Sequence, residues 1–377
     1  MKIATGLATA PIAEAQLAGL AVAAAMAKAG LTIANSVLLF LTPEFARDPK
    51  PALLAASRAS NCTRIIGCSA AGIFTEQDWV LDAPAAAAMV FGGDISLAPA
   101  PQPQADDLIL SLAAPNALNS AWIGVPGRRF GGVSGDATGQ GPFKVWCGGR
   151  TVESGRCETR LAGASGVIGV SQGIRALSEP LAITQASGYD VISLGQQPAM
   201  NVLTRELPLD LRSEGDLPLH LLMAGIIHGD PATAIAEGRF RLAPIISANA
   251  EDRSVTLSAR LAPGEQMFWA VRQPLAAERD MRLTIDRLQQ ELDAPPDFGL
   301  LFPCMGRGPY FYGGMDRDLD LVKQRFPDMP LIGFYGNGEI GPLDGANRLL
   351  QYAAVLGLFH HNMGTSKNPD FIPTAAL

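Results

Sequence analysis

Histidine is scarce in this 377-residue sequence, with four residues at His220, His228, His360 and His361. No H-E-x-x-H occurs, which excludes the zinc-protease helix. The five cysteines, Cys62, Cys68, Cys147, Cys157 and Cys304, form no C-x-x-C pair and no metal-type spacing. An odd, scattered set reads as free thiols in a reducing compartment. Charge is sparse as well: 17% of residues are charged, the formal net charge is −7, and no run of Lys or Arg appears. That balance argues against nucleic acid or an anionic membrane surface as the main partner. No uncharged apolar run reaches membrane-spanning length. The Ala-rich N-terminus is a poor signal peptide, because Pro11 and Glu14 interrupt its would-be apolar core. The sequence therefore predicts a soluble cytoplasmic protein with neither nucleic-acid nor membrane partners.

What is present is apolar and glycine-punctuated. Hydrophobic residues make up 48% of the chain, enough for well-buried cores, and 377 residues suggest two domains of ordinary size. A polar stretch at 207–218 reads as the connection, giving expected domains at 1–205 and 206–377. The pattern predicts an α+β fold: two related α/β-layered domains with mixed sheets, each holding a βαβ unit and antiparallel hairpins. Helices are expected at 13–29, 52–60 and 280–293, the last with Met281, Ile285, Leu288 and Leu292 on one face. On its exposed side, Arg282 would pair with Asp286 and Arg287 with Glu291. Residues beyond Asn362 read as a frayed tail.

The most informative stretch is 298–359. The apolar run Phe298-Gly299-Leu300-Leu301-Phe302 reads as a buried strand, residues 316–326 as a helix, and residues 329–334 as a second strand. A right-handed crossover makes those strands parallel, so the loops that follow them leave the same sheet edge. Open α/β sheets bind ligands there. Cys304, Arg307, Tyr335, Asn337 and Glu339 are the candidate site residues on those loops. Arg307 offers a planar fork for a carboxylate and Glu339 a partner for an ammonium, a set that suits an amino acid or similar zwitterion. The competing reading pairs Arg307 with Glu339. The same design occurs earlier: Val37-Leu38-Leu39-Phe40 matches Gly299-Leu300-Leu301-Phe302, and Arg64-Ile65-Ile66-Gly67 matches Pro330-Leu331-Ile332-Gly333. The duplication adds Cys68 and Ser69, in the loop after Gly67, to the candidate site, and predicts equivalent places for the Gly67 and Gly333 loops.

Other motifs weigh less. Gly169-Val170-Ser171-Gln172-Gly173 matches the nucleophile elbow, but Pro180 leaves little room for the required helix, and a hairpin turn fits better. Asp316-Arg317-Asp318-Leu319-Asp320 imitates a calcium loop without its glycine or its final glutamate, so these carboxylates are assigned to the helix N-terminus. Residues 132–141 are glycine-rich yet hold neither a dinucleotide fingerprint nor a P-loop lysine. No histidine stands in a recognisable axial-ligand setting, and haem is not the expected cofactor.

Cys304-Met305-Gly306-Arg307-Gly308, Gly313-Gly314-Met315-Asp316 and the run from Gly333 through Asn337, Glu339 and Pro342 resemble the C-terminal signature of FIST proteins (F-box and intracellular signal transduction). Ile66-Gly67-Cys68-Ser69-Ala70-Ala71-Gly72 and Phe130-Gly131-Gly132 are similar to motifs of the FIST N-terminal domain. The resemblance implies a cytoplasmic sensory module that binds a small ligand such as an amino acid and passes its signal to a separate protein. It also implies two alternatives, a haem-based nitric oxide sensor and, from the residues themselves, an enzyme with Cys304 or Cys68 as nucleophile. The chain has no room for a kinase or an F-box beside these motifs.

Overall fold

The computed structural model describes residues 2–212 and 217–362. The expected tail beyond Asn362 and part of the expected linker at 207–218 lie outside these residues. The fold is α+β, as the sequence predicts, but the repeated unit occurs three times. The first copy comprises β1 (Ile3–Thr9), α1 (Gln16–Ala29), β2 (Ser36–Leu41), α2 (Lys50–Ser60), β3 (Ile65–Ser69), the hairpin β4 (Gly72–Thr75) and β5 (Trp79–Leu81), and β6 (Ala85–Phe91). The second runs through β7 (Ser96–Pro99), β8 (Leu108–Ala113), the single turn α3 (Ser120–Ile123), β9 (Arg128–Val133), the hairpin β10 (Val145–Cys147) and β11 (Arg150–Thr151), and β12 (Arg156–Ala162).

The third copy opens with β13 (Ala164–Ser171) and is then interrupted by β14 (Ile174–Ala176), β15 (Leu181–Ser187), β16 (Asp190–Leu194), β17 (Gln197–Pro198), α4 (Ala199–Glu206), β18 (Leu222–Ile227), α5 (Pro231–Glu237), β19 (Phe240–Asn249), β20 (Ser254–Leu257) and β21 (Gln266–Arg272). It resumes with α6 (Pro274–Glu291), β22 (Phe298–Pro303), α7 (Arg317–Arg325), β23 (Leu331–Tyr335), the hairpin β24 (Glu339–Leu343) and β25 (Ala346–Leu350), and β26 (Ala354–His361).

The strand orders establish the repeat. They are β1-β6-β2-β3, β7-β12-β8-β9 and β13-β26-β22-β23, each with one parallel pair at its inner end. Each copy then gives its hairpin to another copy's sheet. β4 pairs with β23, β24 with β9, and β10 with β3, closing a cycle of three. Register agrees residue by residue: Gly67, Gly131 and Gly333 sit opposite Leu39, Ser111 and Leu301. Beyond the strands, Ala70, Ser134 and Gly336 donate their backbone N–H to Leu41, Ala113 and Pro303. Likewise Thr42, Ala114 and Cys304 donate to Ala85, Gly155 and Ala353.

The three sheets enclose one apolar core, to which Phe40, Phe130 and Phe302 come from the first, second and third copies. The Phe302 ring lies 6.3 Å from Phe40 and 6.4 Å from Phe130, centroid to centroid. Aromatic contact of this kind adds about 0.5–1.5 kcal/mol per pair to simple burial. Helices α1 and α2 cover the outer face of the first sheet, and α6 and α7 that of the third. No described helix is long and apolar enough to cross a membrane. Within α6, Arg282 pairs with Glu278 at 3.0 Å instead of the expected Asp286, while the pairing of Arg287 with Glu291 holds at 3.8 Å.

The interrupting segment is a unit of its own. β15, β16, β20, β19, β18 and β21 close into an antiparallel barrel around Trp269, Leu222, Val255 and the buried face of α4. The expected boundary at 205/206 falls at the end of α4, inside this barrel. Strands from both sides of that boundary share two of the three core sheets. The G-x-S-x-G segment ends β13 and leads into β14, which pairs with β21 and not with β13, so it is neither an elbow before a helix nor the expected hairpin turn.

Candidate functional site

The loops leaving β2/β3, β8/β9 and β22/β23 converge at one end of the core. Ser69 Oγ accepts the Lys144 N–H at 3.0 Å and lies 3.0 Å from Ser134 Oγ, tying the first two copies together. Gly135 packs so closely on Asn337 that a Cβ there would stand 2.9 Å from its carboxamide. Cys304 bridges to Gly336 in the parallel direction, and Asn337 donates its N–H to Val133 at 3.0 Å.

Glu339 departs from the symmetry. It sits opposite Gly132, where the other two copies place Val145 opposite Cys68 and Ile73 opposite Phe334. A carboxyl thus occupies a core-strand position that is aliphatic in the other two copies. It is fully buried. Oε2 accepts the Ala353 N–H at 3.1 Å, and Oε1 has no hydrogen-bond partner among the described residues. In the first copy the equivalent amide, Ala85, is served by Thr42 Oγ1 at 2.9 Å. Cys304 replaces that threonine here, and Glu339 reaches across to serve Ala353 instead. Burial pushes the Glu339 carboxyl well above the usual range. Burial, and then the neighbouring Glu339 carboxyl, push the Cys304 thiol up too, although the backbone of Gly306 and Tyr352 beside it pulls the other way.

Arg272, the last residue of β21, closes the rim. Its guanidinium stands 3.8 Å from the Tyr352 ring centroid and 5.1 Å from that of Phe311. It donates to the carbonyls of His220 and Gly306 and has no carboxylate partner among the described residues. Burial pulls its pKa below the ordinary arginine range. A half-buried, unneutralised cation therefore stands beside Gly306 and Tyr352. Glu339 lies next to Ala353, which follows Tyr352, and to Cys304, two residues before Gly306.

The expected Arg307–Glu339 cleft is not what the structure contains. Arg307 is 1% exposed and spends its donors elsewhere. Nε and Nη2 hold Asp318 at 2.8 and 3.0 Å, and the rest go to Ser171 and the Ala277 carbonyl. Burial opposes its charge, but Asp318 more than offsets that and holds its pKa above the ordinary arginine value. Its partner is thus Asp318, not Glu339, which corrects the competing reading as well. Ser171 joins this network by donating to Asp280 at 2.8 Å. Tyr335 points to the same side and donates to Asp316, the residue that caps α7 through the Leu319 N–H at 2.9 Å. Cys68 lies in the central apolar core, its thiol raised by burial. Of the expected residues, the loops therefore gather Cys304, Asn337 and Glu339, with Ser69 beside them. They set Arg307, Tyr335 and Cys68 elsewhere.

Burial, and then the neighbouring Asp318 charge, lift the Asp316 carboxyl to about 7. A raised acid makes the folded state hold its proton. The stability this gives is complete below the unfolded carboxylate range and is lost as pH rises towards 7, at up to about 1.4 kcal/mol per pH unit. Asp316→Asn should flatten that loss and exceed the wild type in stability at pH 8. Urea unfolding at pH 5 and pH 8 checks it. An equal wild-type and variant slope with pH would count against this assignment.

Residues 35–197 match the FIST N domain and residues 199–342 the FIST C domain. The chain belongs to the FIST family. An uncharacterized protein of Mycobacterium tuberculosis is 31% identical over 388 positions, covering 95% of this FIST chain and all of that protein. An uncharacterized protein of Mycobacterium bovis is 32% identical over 241 positions, or 63% of this chain and 62% of its own length. Human F-box only protein 22 is 46% identical over 44 residues, 11% of each chain. None of the clefts at 289–297, 168–176, 176–181 or 106–108 is lined by a histidine. His228 and His361 turn to Asp344 and Asp94 at 3.8 and 3.7 Å.

Proposed function

We propose that this FIST protein is a cytoplasmic small-ligand sensor in intracellular signal transduction, and that it takes an amino acid or similar zwitterion between Arg272 and Glu339. The observation that carries the reading is a pair of unsatisfied groups, an arginine without a carboxylate partner and a buried carboxyl with an unpartnered oxygen. Glu339 displaces an aliphatic residue from the core without gaining a full set of partners, and a buried unsatisfied carboxyl costs about 1–3 kcal/mol or more. A ligand ammonium would restore both its partner and its charge. Arg272, preorganised between two rings, would take the carboxylate in place of the fully engaged Arg307. Tyr352 and Phe311, whose rings flank Arg272, would supply the apolar wall. The signal would pass to a separate partner protein.

A thermal-shift panel tests this. A ligand at 100 times its Kd adds about 2.7 kcal/mol of stability. Some α-amino acid should raise the melting temperature, whereas the matched amine and the matched carboxylate should not, and Arg272→Ala should remove the response. A panel in which amines alone act would defeat the zwitterion reading.

The second reading, an enzyme with a Cys304 nucleophile, draws on the Gly306 and Tyr352 backbone beside the sulfur, which favours the thiolate. Its raised thiol opposes that reading, since the thiolate is the nucleophile. Cys304 should be alkylated slowly at neutral pH, and rapid modification would favour the enzyme.

A further inference from the structure

Two thiols outside the candidate site face each other across a sheet boundary. Cys147 ends β10 in the first sheet, and Cys157 lies in β12 of the second, paired with Leu112 of β8. Strand alternation puts Cys147 on the same face as Val145, whose side chain packs in the core cluster that holds Cys157 and Cys68. β10 packs directly on β12, which sets the Cys147 and Cys157 thiols beside one another. Their exposures differ, with Cys147 at the surface and Cys157 buried. Cys62 and Cys304, by contrast, use oxygen or nitrogen neighbours: Cys62 contacts the Asn35 carbonyl, and Cys304 the backbone already described.

We propose that Cys147 and Cys157 form a redox-responsive dithiol, in which a hydroperoxide oxidises Cys147 and Cys157 resolves the product as a disulfide. In the first step the Cys147 thiolate attacks the terminal peroxide oxygen. An S–O bond forms, the O–O bond breaks, and the alkoxide leaves with a proton as alcohol (water, for hydrogen peroxide). In the second step the Cys157 sulfur attacks Cys147 Sγ. The S–S bond forms, the S–O bond breaks, and hydroxide leaves with the Cys157 proton as water. Two thiols lose two electrons in all, and the hydroperoxide gains them.

The neighbouring Cys157 thiol lowers the Cys147 thiol to about 7, while Cys157, with Cys147 beside it and buried, is raised. An exposed thiolate with a protonated neighbour has the asymmetry expected of an attacking and a resolving cysteine. The bond would tie the first sheet to the second beside Cys68. It would also sit three residues after Lys144, whose backbone holds Ser69 at the candidate site.

The test treats the intact protein with stoichiometric hydrogen peroxide, alkylates it, and maps it unreduced by mass spectrometry. The expected product is a cross-linked pair of peptides joining Cys147 and Cys157. In Cys157→Ala, dimedone should label Cys147. In Cys147→Ser, a change at an exposed position, neither cross-link nor label should form. Iodoacetamide should alkylate wild-type Cys147 half-maximally near pH 7, and Cys157→Ala should move that midpoint up towards an ordinary thiol. The proposal is overturned if oxidation falls on Cys62 or Cys304 while the pair stays reduced. It is equally overturned if the wild type accumulates Cys147 sulfenic acid without the cross-link, or if the alkylation midpoint ignores Cys157.

Discussion

Arg307→Ala should destabilise the protein by about 3–5 kcal/mol, the cost of leaving one member of a buried ion pair without its partner. The orphan would be Asp318, fully buried between α7 and β13 and deprived of two charge-assisted hydrogen bonds. Ser171 and the Ala277 carbonyl would lose their donors in the same step, loosening the join between the third sheet and α6. Replacing both partners with apolar residues of similar size, Arg307→Met with Asp318→Leu, should recover much of the loss, because no charge is then left unpaired. Urea denaturation of the single and double variants measures this directly. A folded Arg307→Ala protein of wild-type stability would mean that the ion pair does not hold these elements together.

Gly333→Ala should be as damaging as any single methyl addition in the chain. A Cβ at Gly333 would stand 1.9 Å from the Leu301 carbonyl oxygen and 2.3 Å from the Phe74 ring. Backbone cannot step aside there, since Gly333 is hydrogen-bonded between β22 and the donated β4. At the equivalent sites the approach is equally close, 1.7 Å to the Leu39 oxygen from Gly67 and 2.0 Å to the Ser111 oxygen from Gly131. Each alanine variant should lose about 4 kcal/mol or more, the range reserved for a named structural failure. Gly30→Ala is the control: its φ is +62° but nothing lies within 4 Å, so only the roughly 1 kcal/mol left-handed penalty applies. Melting temperatures of the four variants rank them. A Gly333 variant no worse than the Gly30 one would contradict the close strand approach that all three copies share.

Two of the three copies are legible in the sequence because α2 and α7 carry apolar residues at helical spacing between apolar strands. The Gly67 and Gly333 loops do occupy equivalent places. The second copy hides because α3 is a single turn and no helix separates β7 from β8. Without a helical stretch, β8 and β9 look like any pair of apolar runs. The barrel hides for a related reason, since an inserted set of antiparallel strands has no composition of its own. At the site, parallel pairing alone was enough to bring Cys304, Asn337 and Glu339 to one edge. The place of Arg307 is not legible because the acidic first turn of α7 reads wholly as a helix terminus. Asp316 does serve there, but Asp318 turns inward to the arginine. Arg272 is not legible as a site residue because it belongs to the inserted barrel. Its one signal is a lone arginine ending the apolar strand Met267-Phe268-Trp269-Ala270-Val271.

The proposed zwitterion site requires Glu339 to be buried for a ligand and not for the fold. Glu339→Gln keeps the shape and an acceptor for the Ala353 N–H, and it removes the charge. Its stability at pH 7 should equal or exceed that of the wild type, because the raised carboxyl no longer has to be kept protonated. Its affinity for the zwitterion found by thermal shift should fall by about 1.5–3 kcal/mol, the worth of a hydrogen bond to a charged group, or roughly tenfold to a hundredfold. Isothermal titration calorimetry on the two folded proteins is the decisive measurement. A stable Glu339→Gln protein with markedly weaker binding is the predicted result, and a stable variant that binds as tightly as the wild type would contradict the account.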